Sequence, residues 1–190
     1  MWQKSIFSLT GLLLLLAFGQ CSRSRDLSKQ NAPPPPPTAA QGTDQGCYKN
    51  GTLSASERLG KYPFNKTHQV VYISYEAEAG ATPVVHGRID PARIREMKVL
   101  DKPQVNELTD LIFNYNYSKK TTLTTEQEAG CYRPRHSILF MDIKGQVFAY
   151  LEICFECSKY KSSEAGLNLG TMCAGKLERL KGLFGRAGIH

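Results

Sequence analysis

Two short stretches of this chain carry residues whose types and spacing suit metal binding or thiol chemistry. The first reads CYRPRH and contains Cys131 and His136; the second reads EICFEC and contains Cys154 and Cys157. Three thiolates and an imidazole suit tetrahedral zinc. The same cysteines form disulfides in an oxidising compartment, and the Cys-x2-Cys spacing also occurs in redox sites. Three chemistries therefore compete for these residues.

The N-terminus indicates which compartment these cysteines meet. Residues 1–20 contain Lys4, then an apolar run that is too short to span a bilayer permanently, as in an export signal. Cys21, directly after this run, resembles the acylation site of bacterial lipoproteins. Gln20 departs from the small residue usual there, so cleavage after Gly19 is the alternative. Residues 21–46 include five consecutive prolines and predict an extended tether. Residues 47–190 then form a single folded domain.

A predicted β-hairpin brings the candidate residues close together. Residues 137–141 and 147–153 are apolar strands on either side of the turn signal Lys144-Gly145. Opposed residues of antiparallel strands lie about 5 Å apart, within disulfide range. A two-residue turn predicts these opposed pairs: His136 with Ile153, Arg135 with Cys154, and Tyr132 with Cys157. A four-residue turn places Cys131 opposite Glu156, so Cys131 lies beside Cys157 in either register.

Zinc binding and disulfide formation use these cysteines differently. A metal site would join Cys131 and His136 to Cys154 and Cys157, although the spacing is not a common zinc template. We expect disulfides and no cofactor, because exported domains usually oxidise such thiols. If Cys21 is acylated, an odd number of cysteines remains: Cys47, Cys131, Cys154, Cys157 and Cys173. We predict that Cys131 pairs within the hairpin, that Cys173 pairs with the other hairpin cysteine, and that Cys47 is left over.

Thiol catalysis is the third interpretation. A thioredoxin-type Cys-x2-Cys opens a helix, which lowers the pKa of the first thiol, but here the polar segment 158–166 follows. Cys157 and His136 could form an activated nucleophile, although the sequence identifies no third group to orient them. Arg135 is a candidate for binding an anion or for lowering a thiol pKa. An ordinary exposed arginine at a strand edge is the alternative.

The chain also resembles a family of small exported proteins and lipoproteins of Gram-negative bacteria. The resemblance rests on CYRPRH, the following hairpin with its Lys144-Gly145 turn, EICFEC, and a last helix with Cys173 near its start. It covers the C-terminal third strongly and the first predicted hairpin weakly, and it implies no activity. It does imply one shared site, formed by these residues: Cys131, Pro134, Arg135, His136, Cys154, Cys157 and Cys173.

The remaining patterns predict an α+β domain. Residues 69–75 and 84–89 suggest a first hairpin, and residues 97–100 suggest a short extra strand. Asp101, Pro103 and Gln104 form a helix start before apolar residues at helical spacing. Residues 172–184 place Cys173 on the apolar stripe of a last helix. The order ββ(β)α-ββα predicts an antiparallel sheet built from two hairpins, with both helices on one face.

Charge excludes one class of partner. The chain has 24 Lys and Arg against 17 Asp and Glu, a net charge of +7, but the basic residues are dispersed. The densest groups, 88–98 and 176–186, have helix-like spacing and predict solvated helical faces. Nucleic-acid binding, which needs a clustered patch and a recognisable module, is not expected. Affinity for anionic lipid or glycan surfaces stays open.

These observations predict where the protein acts and leave its chemistry open. We expect an exported periplasmic or outer-membrane protein, anchored in the lipid bilayer through Cys21, with a binding or structural role toward a protein or envelope partner. The alternative is a zinc- or thiol-dependent enzyme that uses the hairpin cysteines and His136.

Overall fold

The computed structural model describes residues 46–76, 83–117 and 132–190, and it confirms an α+β fold. Within these residues no helix combines the length and apolar character that crossing a membrane requires. The strands are β1 Tyr48–Lys49, β2 Gln69–Tyr75, β3 Val84–Val85, β4 Arg88–Ile89, β5 Ile94–Val99, β6 Tyr115–Asn116, β7 His136–Met141, β8 Val147–Cys154 and β9 Lys159–Ser162. The α-helices are α1 Ala55–Leu59, α2 Lys102–Asn114 and α3 Lys176–Arg186.

A five-stranded antiparallel sheet in the order β5-β2-β7-β8-β9 organises the domain. Strand β2 lies inside this sheet, and six consecutive residues from Val70 to Tyr75 are buried. Successive strand residues point to opposite faces, so this run requires that both faces of the sheet be covered. An apolar sequence without strict alternation is the expected signature of such a strand.

Helices α2 and α3 cover one face, as the sequence predicted. Their apolar stripes pack on side chains of β2, β7 and β8 to form the larger core. Phe184 of α3 stacks on Tyr72 of β2 with ring centroids 3.9 Å apart. The principal helix and sheet residues of this core are Leu108, Leu111, Ile112, Leu177, Leu180, Phe184, Val70, Tyr72, Ile138, Phe140, Leu151 and Ile153.

The opposite face is covered by the small β3–β4 hairpin, and this corrects the sequence prediction. Residues 84–89 were expected to return alongside β2, but they pair only with each other, Val84 with Ile89 and Val85 with Arg88. Strand β5 pairs with β2 instead. Val84 and Ile89 pack against a second core on this face, which includes Ile73 and Leu139. The basic group 88–98 is therefore mostly strand, not the predicted helical face.

The ends of the two long helices test the capping predictions. Helix α2 begins at the predicted capping box, where Asp101 accepts from the Gln104 amide and Gln104 accepts from the Asp101 amide. Helix α3 starts later than predicted, because Gly175 has a left-handed φ of 83° that interrupts the helix. Cys173 therefore precedes α3 instead of lying on its stripe.

The β7–β8 hairpin has the predicted register, with His136 opposite Ile153. Its loop is longer than two residues, and a bulge between Phe140 and Met141 absorbs the difference. Strand β8 ends at Cys154, one residue beyond the predicted end, and the predicted strand pairing of Cys157 with Tyr132 does not form. The chain turns over residues 155–158 and returns as β9, a strand that the sequence analysis missed because it reads as a polar loop.

Helix α1 was also missed, although its start carries a recognisable signal. Ser54 and Glu57 form a capping box like that of α2. The buried Arg58 then fixes α1 against α2 by donating to Thr109 Oγ1 at 3.2 Å and to the Leu53 carbonyl at 2.6 Å. Five residues are too few for hydrophobic periodicity to be informative.

We predict that Gly170→Ala destabilises the domain by about 3 kcal/mol, because the new Cβ would lie 2.1 Å from the Ile112 carbonyl oxygen at a φ of +70°. Gly166→Ala is the matched control, since Gly166 has a φ of +90° but nothing within 4 Å of its Cβ position. It should cost about 1 kcal/mol from backbone strain alone. Urea unfolding measures both, and equal losses would contradict the steric explanation.

Candidate functional site

The EICFEC stretch forms the corner between β8 and β9, and its two cysteines are bonded to each other. The Cα atoms of Cys154 and Cys157 lie 5.4 Å apart, with residues 155 and 156 between them. Cys154 is 3 % exposed, whereas Cys157 is partly exposed. The backbone N–H of Cys157 points at Cys154 Sγ with an N···S distance of 3.3 Å. The stretch is thus a disulfide-closed turn with one buried and one partly exposed cysteine.

His136 lies near this turn but belongs to the helix-covered face of the sheet. Its ring packs against Phe155 at 4.9 Å and against Phe184 at 5.5 Å, between ring centroids. Burial lowers the pKa of His136. Because Ile153 faces His136 across the strands, the next residue, Cys154, points to the opposite face. The imidazole and the Cys154 thiol therefore do not converge as the ligands of one metal would.

The proposed metal set is not assembled by the side chains that the structure describes. Cys154 and Cys157 would first have to be reduced, because a disulfide sulfur is not the thiolate ligand that zinc takes. Cys131, the other expected thiol, lies outside the described residues, as does Cys21. Over residues 46–76, 83–117 and 132–190, no group of three or more His, Cys, Asp or Glu side chains is arranged to hold a metal ion.

Arg135, the candidate for binding an anion, lies beside the turn and already has an anionic partner. Its guanidinium is 3.7 Å from the carboxylate of Glu156, and both side chains are largely exposed. Glu156 lies between the two cysteines in sequence, so this ion pair connects the turn to the residue just before β7. Exposed pairs of this kind contribute about 0–1 kcal/mol, and Arg135 therefore affects the local charge more than the stability.

The second disulfide corrects the predicted pairing. Cys47, expected to be left over, is bonded to Cys173, with Cα atoms 5.0 Å apart. Strand β1 pairs with β6, and Gly46 forms a bridge with Ala174, so the start of the domain runs next to the segment before α3. This neighbourhood depends on tertiary packing between segments over 100 residues apart. The predicted disulfide between Cys173 and a cysteine of the hairpin therefore does not form.

A buried lysine beside this disulfide was also missed. Lys176 was predicted on a solvated helical face, yet it is 2 % exposed. Its ammonium donates to the carbonyls of Ile112 at 3.1 Å, Tyr115 at 2.9 Å and Thr171 at 2.8 Å. Ile112 belongs to the last turn of α2, and Tyr115 directly follows this helix. The C-terminal end of a helix favours a cation. No spacing rule distinguishes this lysine from its exposed neighbours.

A row of polar residues crosses the sheet near His136, and its hydrogen bonds do not form a nucleophilic triad. The register aligns Glu96, Ser74 and His136 on adjacent strands. Ser74 is 2 % exposed and donates to Glu96 Oε2 at 2.6 Å. In an activated serine the hydroxyl donates to the histidine base. The His190 amide donates to the same carboxylate at 2.7 Å and, together with Ser74, lowers the pKa of Glu96.

The opposite face holds a second polar group, which sequence reasoning did not find. Glu152 lies between Ser137 and Lys161 in the strand register, and burial raises its pKa. The Tyr132 hydroxyl donates to the Glu152 carbonyl at 3.2 Å, while Lys161 Nζ lies 4.5 Å from the centre of the Tyr132 ring. These contacts hold the segment before β7 across the sheet, so Tyr132 and Lys161 have a structural role here.

Comparisons with protein-family models, with curated proteins and with solved structures found no match to this chain. The resemblance to exported lipoproteins therefore stays a prediction, and the function has to be argued from the site itself.

Proposed function

We propose that this protein is an exported, lipid-anchored envelope protein in which a disulfide-stabilised domain binds, or structurally supports, another envelope component. Cys21 would carry the lipid, residues 21–46 would form the tether, and residues 47–190 would form the presented domain. One observation carries this proposal: the Cys47–Cys173 disulfide joins the first part of the domain to the segment before its last helix.

The two disulfides favour an oxidising compartment, because cytosolic reductants keep most protein thiols reduced. Cys47 and Cys173 are 8 % and 7 % exposed, and their bond closes a sequence separation of 126 residues. A buried bond of this span is typical of structural disulfides in secreted domains. An export signal at residues 1–20 would supply the route to that compartment.

The position of Cys47 also suits an anchored domain. Any pull transmitted through a tether reaches the domain at its first strand. Strand β1 has only two residues, paired to Tyr115 and Asn116 of β6. Two residue pairs would resist separation weakly, whereas the covalent bond to Cys173 passes the load to the body of the domain. The bond thus protects the attachment point.

The partner's chemistry is constrained mainly by charge. The chain's net charge of +7, to which the signal at residues 1–20 contributes only Lys4, favours association with anionic surfaces by general electrostatic attraction. Lys and Arg residues are spread over several elements, which argues against a nucleic-acid groove and is compatible with a membrane-proximal location. A protein or envelope partner remains the expected ligand.

The proposal predicts that the full chain, expressed in a bacterium that processes lipoproteins, enters the membrane fraction and yields a mature N-terminus at an acylated Cys21. Cys21→Ser should release the domain into the soluble periplasmic fraction with both described disulfides intact. Intact mass with and without reduction measures acylation and disulfides together. A mature chain cut after Gly19 without lipid would overturn the anchor, and a reduced cytoplasmic protein would overturn the whole proposal.

A further inference from the structure

The two described disulfides differ in how much of the fold depends on them. Cys47–Cys173 joins segments that are 126 residues apart, whereas Cys154–Cys157 spans three. The β8–β9 hairpin is already closed by four residue pairs, including Cys154 with Lys159, and by the Ser158 amide, which donates to the Phe155 carbonyl at 3.3 Å. The short bond can therefore open while the hairpin stays paired.

Access to the short bond is asymmetric. Cys154 is almost fully buried at the end of β8, while Cys157 lies in the turn and is partly exposed. Phe155 packs against His136 and Phe184 and fixes the turn to the body of the domain. Thiol–disulfide exchange depends on which sulfur the incoming thiolate can reach. Here the more exposed of the two cysteines is Cys157, so its Sγ is the expected point of attack.

Although burial disfavours a charged sulfur, one contact favours release of Cys154 Sγ as a thiolate. The Cys157 backbone N–H points at Cys154 Sγ at 3.3 Å, and a hydrogen bond to a charged form stabilises that form. Lys159 is the cross-strand partner of Cys154, so its side chain is on the same face. A nearby cation also favours the thiolate. The Cys157 amide therefore contacts Cys154 Sγ, the sulfur that an attack on Cys157 would release, and Lys159 lies on the same face of the sheet.

We propose that Cys154–Cys157 is a thiol–disulfide exchange site that accepts two electrons from the dithiol of a partner protein. The partner's thiolate attacks Cys157 Sγ, the bond to Cys154 breaks, and Cys154 Sγ takes the electron pair and then a proton. The partner's second thiolate then attacks its own first sulfur, releasing Cys157 Sγ, which is protonated in turn. The domain ends as a dithiol and the partner as a disulfide. This site is independent of the lipid anchor.

The first test uses dithiothreitol as the probe dithiol on the native full chain, with iodoacetamide quenching and peptide mapping over time. Trypsin places Cys154 and Cys157 together in peptide 145–159, apart from Cys47 and Cys173. The exchange site should be reduced at least about tenfold faster than Cys47–Cys173, because one of its sulfurs is accessible. The far-UV circular dichroism should not change. Equal rates, or loss of structure with the first reduction, would overturn the proposal.

Two single variants test the direction of attack. Cys154→Ser leaves the accessible Cys157 thiol, and Cys157→Ser leaves the buried Cys154 thiol. With 5,5'-dithiobis(2-nitrobenzoate), located on peptide 145–159, Cys157 should react at least about tenfold faster. Comparable rates, or faster reaction of Cys154, would reject the assignment of Cys157 as the attacked sulfur. Membrane fractionation of the same variants reports the anchor separately.

Discussion

Replacing both Cys47 and Cys173 with serine will lower the free energy of unfolding by about 5 kcal/mol. In the chain-entropy description a disulfide stabilises the fold by restricting the unfolded chain, and the effect grows with the closed loop. Because the separation is 126 residues, the stabilisation expected from this bond is near the upper end of the range found for disulfides. Guanidinium unfolding of both proteins under identical oxidising conditions measures the difference.

The matched control replaces Cys154 and Cys157 with serine. The same relation gives about 2 kcal/mol for a bond with a sequence separation of 3. The ratio between the two losses is the informative quantity, since both variants remove two sulfurs and one bond. If the short bond proved as stabilising as the long one, loop closure would not be the main contribution of Cys47–Cys173.

Lys176→Met will destabilise the domain by about 4 kcal/mol near neutral pH. Methionine fills much of the same volume but leaves the three carbonyls that Lys176 contacts without their donor, and each unsatisfied buried group costs about 1–3 kcal/mol. Lys181→Met is the control, because Lys181 is exposed on the same helix and should change stability by no more than about 0.5 kcal/mol. Similar losses for both variants would contradict the structural role of Lys176.

The same residue gives a pH dependence whose sign is fixed. Burial lowers the pKa of Lys176 to about 8 in the folded protein, against 10.5 for an ordinary lysine. Between these values the unfolded chain binds more protons, so the unfolding free energy of the wild type rises with pH relative to Lys176→Met. The slope is at most about 1.4 kcal/mol per pH unit. A neutral amine keeps two hydrogens for the three carbonyls, so deprotonation leaves one of them without its donor.

This difference should be measured between pH 8 and 10. Above that range the buried hydroxyls of Tyr72 and Tyr75, whose pKa values burial raises, lower the unfolding free energy of each protein as the pH rises, because the unfolded tyrosines ionise first. Both tyrosines are present in the wild type and the variant, so their effect cancels in the comparison. A flat difference over this range would show that Lys176 titrates normally.

Local patterns predicted the parts of this fold that are decided locally. The capping box at Asp101 and Gln104 fixes the start of α2. The Lys144-Gly145 turn signal located the second hairpin, in which His136 is opposite Ile153 as one of the two predicted registers required. The failures involve partners that lie far away in sequence. Residues 84–89 carry a strand signal, but nothing near them indicates that they cover the second face of the sheet and do not extend it.

The candidate site also has features that local sequence predicted and features that depend on distant partners. The sequence brought Cys131, His136, Cys154 and Cys157 to one end of a hairpin. The structure has the last three near that end, with His136 and Cys154 on opposite faces of the sheet, while Cys131 lies outside the described residues. The sequence could not predict that the pairing of opposed residues stops before Cys157, because Phe155 is as apolar as the residues before it and gives no turn signal. Pairing of Cys47 with Cys173 and burial of Lys176 both arise where the start of the domain meets the end of α2, a junction that exists only after folding.

The span of the Cys47–Cys173 bond also sets the order in which this domain can be completed. A chain that emerges N-terminus first presents Cys47 long before Cys173, and Cys154 and Cys157 appear in between. During that interval Cys47 has no native partner, and it can form a disulfide with a thiol that emerges before Cys173, such as Cys154 or Cys157. Correct maturation therefore requires either delayed oxidation of Cys47 or reshuffling by an isomerase, and the domain is vulnerable to mispairing until nearly all of it has emerged.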